Sequence, residues 1–205
     1  MVNQLWSNIQ WGQRSNFIGL PTDCPQRDER LGWTADAQVF WRTAAYNMDL
    51  NSFTQKFSAD LRGTQVGTNM YGIYAPGTNS LNPGFGAGWS DAGVIIPWTG
   101  WIQTGNQRII EENWDAMEKY LATIRDLNPD FLWRKGFGIP FGEWLTPTQT
   151  TPEDLIATAY WAYDVTLMKE MASASGRTEK VAEYDALFDH IKVAFDKAYV
   201  RSDGF

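Results

Sequence analysis

The 205-residue chain is long enough for one domain, or for a large part of one, and carries a formal net charge of −7. It shows no basic stripe, so we expect no nucleic acid as partner. It has no apolar run near the roughly 18 residues of a membrane span and no signal-peptide pattern, so we expect a soluble protein without a membrane partner. Its compartment stays open. Its one cysteine excludes an internal disulfide, and its one histidine, His190, argues against histidine-bound zinc and against a Ser-His-Asp triad.

Helical periodicity runs through almost the whole chain, and no convincing alternating strand is present. Seven helices are predicted. The first three are 3–15, a helix capped by Thr34, and 49–62. A fourth lies in "WSDAGVIIPWTGWIQTG", where Pro97 interrupts or delays it, and the fifth is 106–127. The sixth has Thr151 as N-cap and Pro152 at its first position and ends near Ala174, before Gly176, and the seventh is 178–199. Short turns alternate with long loops at 63–88 and 128–150. We therefore expect an all-α fold, half of a toroid of helical hairpins, with the long loops at one end building the site.

Aromatic residues make up 15% of the chain, with 11 Trp, 8 Tyr and 11 Phe. Sugar-binding clefts use indoles because an aromatic face packs on the C–H face of a pyranose while its edge donates a hydrogen bond. Large apolar side chains also fill helical cores, and we expect core packing to account for more than half of these aromatic residues.

The segment "TDCPQRDERLGW", residues 22–33, carries an unusual density of charge in a loop between two helices. Its acids and bases, with the acid that follows in the next helix, are Asp23, Arg27, Asp28, Glu29, Arg30 and Asp36. Cleavage of a glycosidic bond needs one protonated and one ionised carboxyl group, and neighbouring negative charge raises the pKa of one member of an acid cluster. The alternative is a structural ion-pair cluster, with Asp36 only favouring the N-terminus of its helix.

The residues 8–49, "NIQWGQRSNFIGLPTDCPQRDERLGWTADAQVFWRTAAYNMD", closely resemble the catalytic signature of the α-L-rhamnosidases of glycoside hydrolase family 78. The pattern D-C-P-x-R-x-E-R-x-G-W-x-x-D is long and specific, and the resemblance continues in "GWSDAGVIIPW" and "GEWL". It implies an (α/α)6 barrel, inversion at the anomeric carbon and no redox cofactor. We expect no cofactor and no metal.

The resemblance also implies roles for individual positions. Glu29 matches the general acid, and the positions that match substrate-binding residues are Asp23, Arg27, Trp33, Asp36, Trp89, Asp91 and Trp144. Among these, Trp89 and Trp144 could instead be core residues. Two departures from the family pattern are Ala35, where Gly is commoner, and Glu143, where Asp is commoner.

In the family, the catalytic base is a glutamate far beyond the acid motif, whereas this chain ends at Phe205. We therefore expect residues 1–205 to be the first half of the barrel of an inverting α-L-rhamnosidase that releases terminal rhamnose, with the base elsewhere and the fragment itself inactive. The uncovered edge of the half ring could promote self-association. Two alternatives stay open: a related helical-barrel hydrolase acting on another sugar, and a non-catalytic carbohydrate-binding domain.

Overall fold

The structure is a computed structural model, and it describes residues 1–77, 84–136, 138–143, 146–147 and 151–201. Its helices are α1 Val2–Asn16, α2 Thr34–Asn47, α3 Asn51–Gly63, α4 Ala92–Thr104, α5 Arg108–Leu127, α6 Glu153–Ala174 and α7 Thr178–Tyr199. Within the described ranges no strand forms, and β-type pairing is limited to isolated bridges. The predicted all-α fold is confirmed.

The helices form an arc of two layers. One layer runs through α2, α4 and α6, each packed against the next, and the other contains α3 and α5, which pack against each other and against α4. The last two helices, α6 and α7, are an antiparallel hairpin joined by the short turn that ends with Gly176 in the left-handed region at φ +74°. This alternation of layers is the arrangement of a partial helical barrel. None of the described helices combines the length and the apolar character needed to cross a membrane.

Two predicted details at the helix ends are wrong. Thr34 is the first residue of α2 rather than its N-cap, because its hydroxyl donates to the carbonyl oxygen of Ile73 at 2.9 Å instead of accepting from the helix. Pro97 does not delay α4, which begins at Ala92 and runs through it. For Thr34, the bond to the long loop before α4 overrides the local signal.

The start of α6 is also shifted by one residue from its predicted place. Pro152 precedes the helix at the N-cap position, and Glu153 is the first helical residue. The hydroxyl of Thr151 does not cap the helix, because it donates to Oε1 of Glu143 at 2.5 Å. This contact ties the loop before α6 to the helix start.

Some tryptophans lie in the core, and others lie in the loops. Those buried in the core are Trp41, Trp114, Trp133 and Trp161. The indole of Trp41 stacks on Phe57 with ring centroids 5.5 Å apart and donates to Oγ1 of Thr54 at 3.0 Å. Trp33 and Trp89 are only half-buried and belong to loops. The high aromatic content therefore serves both the core and the loop surface.

The long loops meet at one end of the arc, as predicted. The amide of Ala75 donates to the carbonyl of Gly32 at 3.0 Å, which joins the loop after α3 to the loop before α2. The amide of Ile139 donates to the carbonyl of Phe85 at 2.8 Å, which joins the loops before α4 and α6. One continuous surface results, and the acid motif lies on it.

Candidate active site

The acid motif folds back on itself before α2 begins. Residues 25–28 form a turn, and the amide of Asp23 then reaches the carbonyl of Leu31 at 3.3 Å. Arg30 adopts a left-handed backbone at φ +55°, which reverses the chain direction after Glu29. Glycine is required at position 32 because the backbone of Ala75 approaches closely, and a Cβ here would lie 2.4 Å from its carbonyl oxygen. In this compact loop, residues that are several positions apart in sequence lie on the same side of the loop.

A cavity of about 360 Å³ opens where the loops meet. Its lining consists of Asp23, Arg27, Glu29, Trp33, Ala35, Asp36, Val39, Trp89 and Phe141. Six of the eight residues singled out from the sequence therefore lie around one space. Carboxylates, a guanidinium and two indoles in one concave surface can hydrogen-bond the hydroxyl groups of a sugar and pack against its ring.

Both oxygens of the Glu29 carboxyl have a partner. Trp33 Nε1 donates to Oε1 at 2.5 Å, and Nη2 of Arg27 lies 2.5 Å from Oε2. The Glu29 side chain is 24% exposed, whereas that of Arg27 is 60% exposed. The carboxyl of Glu29 is thus held in a fixed orientation while it still faces the cavity.

Asp23 and Asp36 flank this carboxyl. Oδ1 of Asp23 is buried and has no hydrogen-bonding partner among the described residues. Partial burial raises the pKa of Asp36 above its usual range, a hydrogen bond from its own backbone opposes this, and the negative charges of Asp23 and Glu29 raise it further. Both aspartates also line an adjoining cavity of about 310 Å³ beneath α1. The site thus concentrates negative charge, as expected for a cluster of acids.

Aromatic rings close the cavity on the side of the later loops. Phe141 lies 4.2 Å from Trp89 and 6.5 Å from Trp33, measured between ring centroids. Tyr74 supports the other side of Trp33 at 5.7 Å. Sequence reasoning missed Phe141 as a site residue, although it directly precedes the recognisable "GEWL" segment.

One predicted site residue lies elsewhere, and another lies outside the described residues. Asp91 is completely buried, and its two oxygens accept from the hydroxyl of Tyr120 at 3.0 Å and from the amide of Gly88 at 2.6 Å. The expectation that Asp91 lines the pocket is therefore corrected: it supports the turn that carries Trp89. Trp144 falls outside the described residues.

The two positions that depart from the family pattern have different surroundings. Ala35 lines the cavity directly. Glu143 accepts hydrogen bonds from the hydroxyl and the backbone amide of Thr151, and these bonds hold the pKa of Glu143 below its usual range. Its carboxylate is occupied at the start of α6 rather than in the cavity.

Three side chains in the motif have the spacing that a metal ion could bridge. The ligand atoms of Asp23, Cys24 and Glu29 lie within 4.8 Å of one another. The hydrogen bond between Cys24 and Asp23, followed by burial, raises the pKa of the Cys24 thiol, so the thiolate that binds metals is disfavoured. Binding of a metal ion by these three side chains would require deprotonation of Cys24.

A partial barrel of helical hairpins, with carboxylates and indoles around a cavity where its long loops meet, defines a domain of the six-hairpin glycosidase class. The chain belongs to the bacterial α-L-rhamnosidase six-hairpin glycosidase domain family, whose model matches residues 1–205.

Individual relatives agree with this assignment. The chain is 44% identical to an α-L-rhamnosidase of Streptomyces avermitilis over 206 residues, which cover 100% of this chain and 19% of the relative. It is 37% identical to an α-L-rhamnosidase of Formosa agariphila, with coverage of 98% and 22%. A crystal structure of the Streptomyces avermitilis α-L-rhamnosidase complexed with L-rhamnose superposes with a TM-score of 0.89 at 40% identity, covering 99% of this chain and 19% of that one. The chain thus spans about a fifth of the length of the curated relatives it matches.

Proposed function

We propose that this chain is part of the catalytic domain of an inverting α-L-rhamnosidase that releases terminal α-L-rhamnose from glycans or glycosides. The observation that carries the proposal is the Glu29 carboxyl, oriented by Trp33 and Arg27 at the edge of a cavity lined with aspartates and indoles. Membership of the family and the relatives named α-L-rhamnosidase support the choice of sugar.

In the proposed reaction Glu29 is the general acid. It gives its proton to the glycosidic oxygen as the bond between that oxygen and the anomeric carbon breaks, so that the departing alcohol leaves neutral. A water molecule attacks the opposite face of the anomeric carbon and loses its proton to a second carboxylate, which inverts the configuration. In inverting enzymes the two carboxyl groups lie about 6.5–9.5 Å apart.

We place the second carboxylate outside these 205 residues. Among acids of the site-side loops, Asp91 is buried beneath the Trp89 turn, and Glu143 is bonded to Thr151. Neither is presented to a water molecule in the cavity. We propose on this basis that residues 1–205 are the first half of the barrel and that the remaining hairpins supply the base.

The other cavity residues bind the sugar in this proposal. Asp23 and Asp36 accept hydrogen bonds from sugar hydroxyls, and the partnerless Oδ1 of Asp23 is suited to that role. Arg27 contacts the sugar and holds the acids in place. Trp33, Trp89 and, by family position, Trp144 form aromatic walls for the apolar face of the ring.

A panel of 4-nitrophenyl glycosides tests the function with the full-length protein. We expect hydrolysis of the α-L-rhamnoside, and we expect β-rhamnose to appear first in the NMR spectrum because the reaction inverts. Preference for another glycoside would favour a related hydrolase with a different substrate. Binding of rhamnose without turnover, and without any effect of Glu29→Gln on binding, would favour a carbohydrate-binding domain.

A further inference from the structure

A second pair of acids lies beneath the cavity, where no substrate reaches it. Asp164, in the middle of α6, is completely buried and lies within hydrogen-bonding reach of Asp91 at the start of α4. The sequence segment "AYWAYDVTLM" places this single acid on a face of α6 that is otherwise apolar. Nothing in the acid motif or in the proposed chemistry requires it.

The surroundings of the pair decide which member carries a proton. The oxygens of Asp91 already accept from the hydroxyl of Tyr120 and the amide of Gly88, as an ionised carboxylate would. The oxygens of Asp164 have no donor among the described residues. Two ionised carboxylates in contact would repel each other strongly in a buried site, whereas a proton on Asp164 turns the contact into a hydrogen bond to Asp91. Burial, and then the charge of Asp91, raise the pKa of Asp164 well above its usual range.

This hydrogen-bonded chain ends on the turn that carries an aromatic wall of the cavity. Asp91 Oδ2 accepts from the amide of Gly88, whose backbone is left-handed at φ +84°. The carbonyl of Gly88 accepts from Nε2 of Gln38 on α2 at 2.6 Å. The next residue is Trp89, which lines the cavity. The turn is thus held between α2 and α4, and through Asp91 it is connected to α5 and α6.

We propose that Asp164 is a positioning residue: its protonated carboxyl donates to Asp91 and thereby fixes the Gly88–Trp89 turn at the depth that the sugar ring needs. The inference rests on the proposed function only for its effect on catalysis. The hydrogen-bonded chain itself is a property of the fold. At a pH high enough to remove the proton from Asp164, the pair becomes two repelling carboxylates, and the turn loosens.

Other titratable groups face the pair from each element packed around it. They are Tyr71 of the loop before α4, Tyr120 of α5, and Tyr160 and Tyr163 of α6, with Arg62 of α3 near Tyr71 and Arg42 of α2 near Tyr163. Burial raises the pKa of all four tyrosines, so they stay neutral across the range in which a carboxyl group titrates. The pH dependence of this cluster is therefore that of the Asp91–Asp164 pair.

The experiment compares Asp164→Asn with Asp164→Leu in the full-length protein, with Ser58→Ala as the matched control. Asn keeps a donor for Asp91 at every pH, and Leu removes it. Ser58 is also buried, and its hydroxyl has no partner in the described part of the chain, so it reports the effect of altering a buried polar group elsewhere. The readouts are kcat and KM across pH on an aryl α-L-rhamnoside, and hydrogen exchange of the peptide that contains Gly88 in the absence of sugar.

We expect Asp164→Asn and Ser58→Ala to keep the KM of the wild type near neutral pH, and Asp164→Leu to raise KM on the order of tenfold with a smaller change in kcat. Intrinsic amide exchange rises with pH in every variant, so protection of the Gly88 amide is measured relative to that intrinsic rate. This protection should be high in wild type and in Asp164→Asn, and should fall at alkaline pH in wild type alone. If the leucine variant does not fold, this pH comparison decides the question without it. The proposal would be overturned if the Gly88 amide exchanged equally in wild type and in Asp164→Asn at alkaline pH. It would also be overturned if the KM of Asp164→Leu equalled that of Asp164→Asn or Ser58→Ala. If the wild type hydrolyses no rhamnoside, the proposed function fails, and the exchange data still test the hydrogen-bonded chain.

Discussion

Nε1 of Trp33 and Oε1 of Glu29 lie 2.5 Å apart, so the indole that forms one wall of the cavity also holds the carboxyl group proposed as the general acid. The two residues are four positions apart, but they meet across a folded loop and not along a helix. The left-handed backbone of Arg30 and the close approach of Gly32 to Ala75 make this contact possible. Orientation of the acid and shape of the sugar pocket are therefore coupled.

The first prediction concerns this contact. Trp33→Phe keeps an aromatic wall but removes the N–H that orients Glu29, so we expect kcat on an aryl rhamnoside to fall about 10- to 100-fold with little change in KM. Trp89→Phe is the matched control and should act mainly on KM, because Trp89 is proposed to form a wall for the sugar ring. Steady-state kinetics of the two variants would contradict this division of roles if kcat fell equally in both.

The second prediction concerns Gly32. A Cβ at this position would lie 2.4 Å from the backbone oxygen of Ala75, and neither backbone can yield without moving Trp33. We expect Gly32→Ala to lower the free energy of unfolding by about 1–3 kcal/mol and to reduce activity. Gly12→Ala, at a site in α1 where a Cβ meets nothing within 4 Å, should instead stabilise the helix by about 0.5–1 kcal/mol. Thermal unfolding that ranks the two variants in the opposite order would show that the loop does not need this close approach.

The third prediction concerns the thiol in the acid motif. The hydrogen bond to Asp23 and then burial raise the pKa of Cys24 above its ordinary value of 9.0, so the thiol stays protonated at neutral pH. We expect alkylation by iodoacetamide to be slower than that of a free thiol at pH 8, and its rate to level off only at a higher pH than for a free thiol, because the thiolate is the reacting form. Asp23→Asn should accelerate alkylation because it removes the neighbouring negative charge, and Cys24→Ser should retain activity. Rapid modification of the wild type at pH 7 would contradict this account.

The fourth prediction concerns the edge of the partial barrel. The side chains of Val2, Leu5 and Trp6 on α1, and of Tyr46 on α2, are exposed large hydrophobic groups. We expect the isolated 205-residue chain to be inactive and to self-associate, because apolar patches of this kind are rarely tolerated on monomers. Light scattering after size exclusion measures this, with Leu5→Glu as a variant that should reduce association. A stable monomer of the unmodified chain would contradict the half-ring interpretation.

Sequence periodicity predicted the helices well, because their apolar stripes are local and long. It failed at Thr34, whose hydroxyl bonds to the loop before α4, and at Pro97, which α4 accommodates in its interior. Within the site, the motif residues were predictable since they share one short loop. Phe141 was not, because its place beside Trp89 depends on how a distant loop folds. Asp164 is visible in the sequence as a lone acid on an apolar helix face, but its role can be interpreted only once its partner Asp91 is known.

The central claim is that Glu29 gives the proton to the departing oxygen, and the dependence of rate on leaving group tests it most directly. Glu29→Gln and Asp36→Asn are compared in the full-length protein on aryl α-L-rhamnosides that range from a dinitrophenyl to an unsubstituted phenyl leaving group. We predict that Glu29→Gln loses about 10²–10⁴-fold on the poor leaving group and far less on the dinitrophenyl substrate, which departs without a proton, while Asp36→Asn loses rate evenly across the series. Retention by Glu29→Gln of more than about a tenth of the wild-type rate on the phenyl substrate would contradict the assignment and make Asp23 or Asp28 the next candidate.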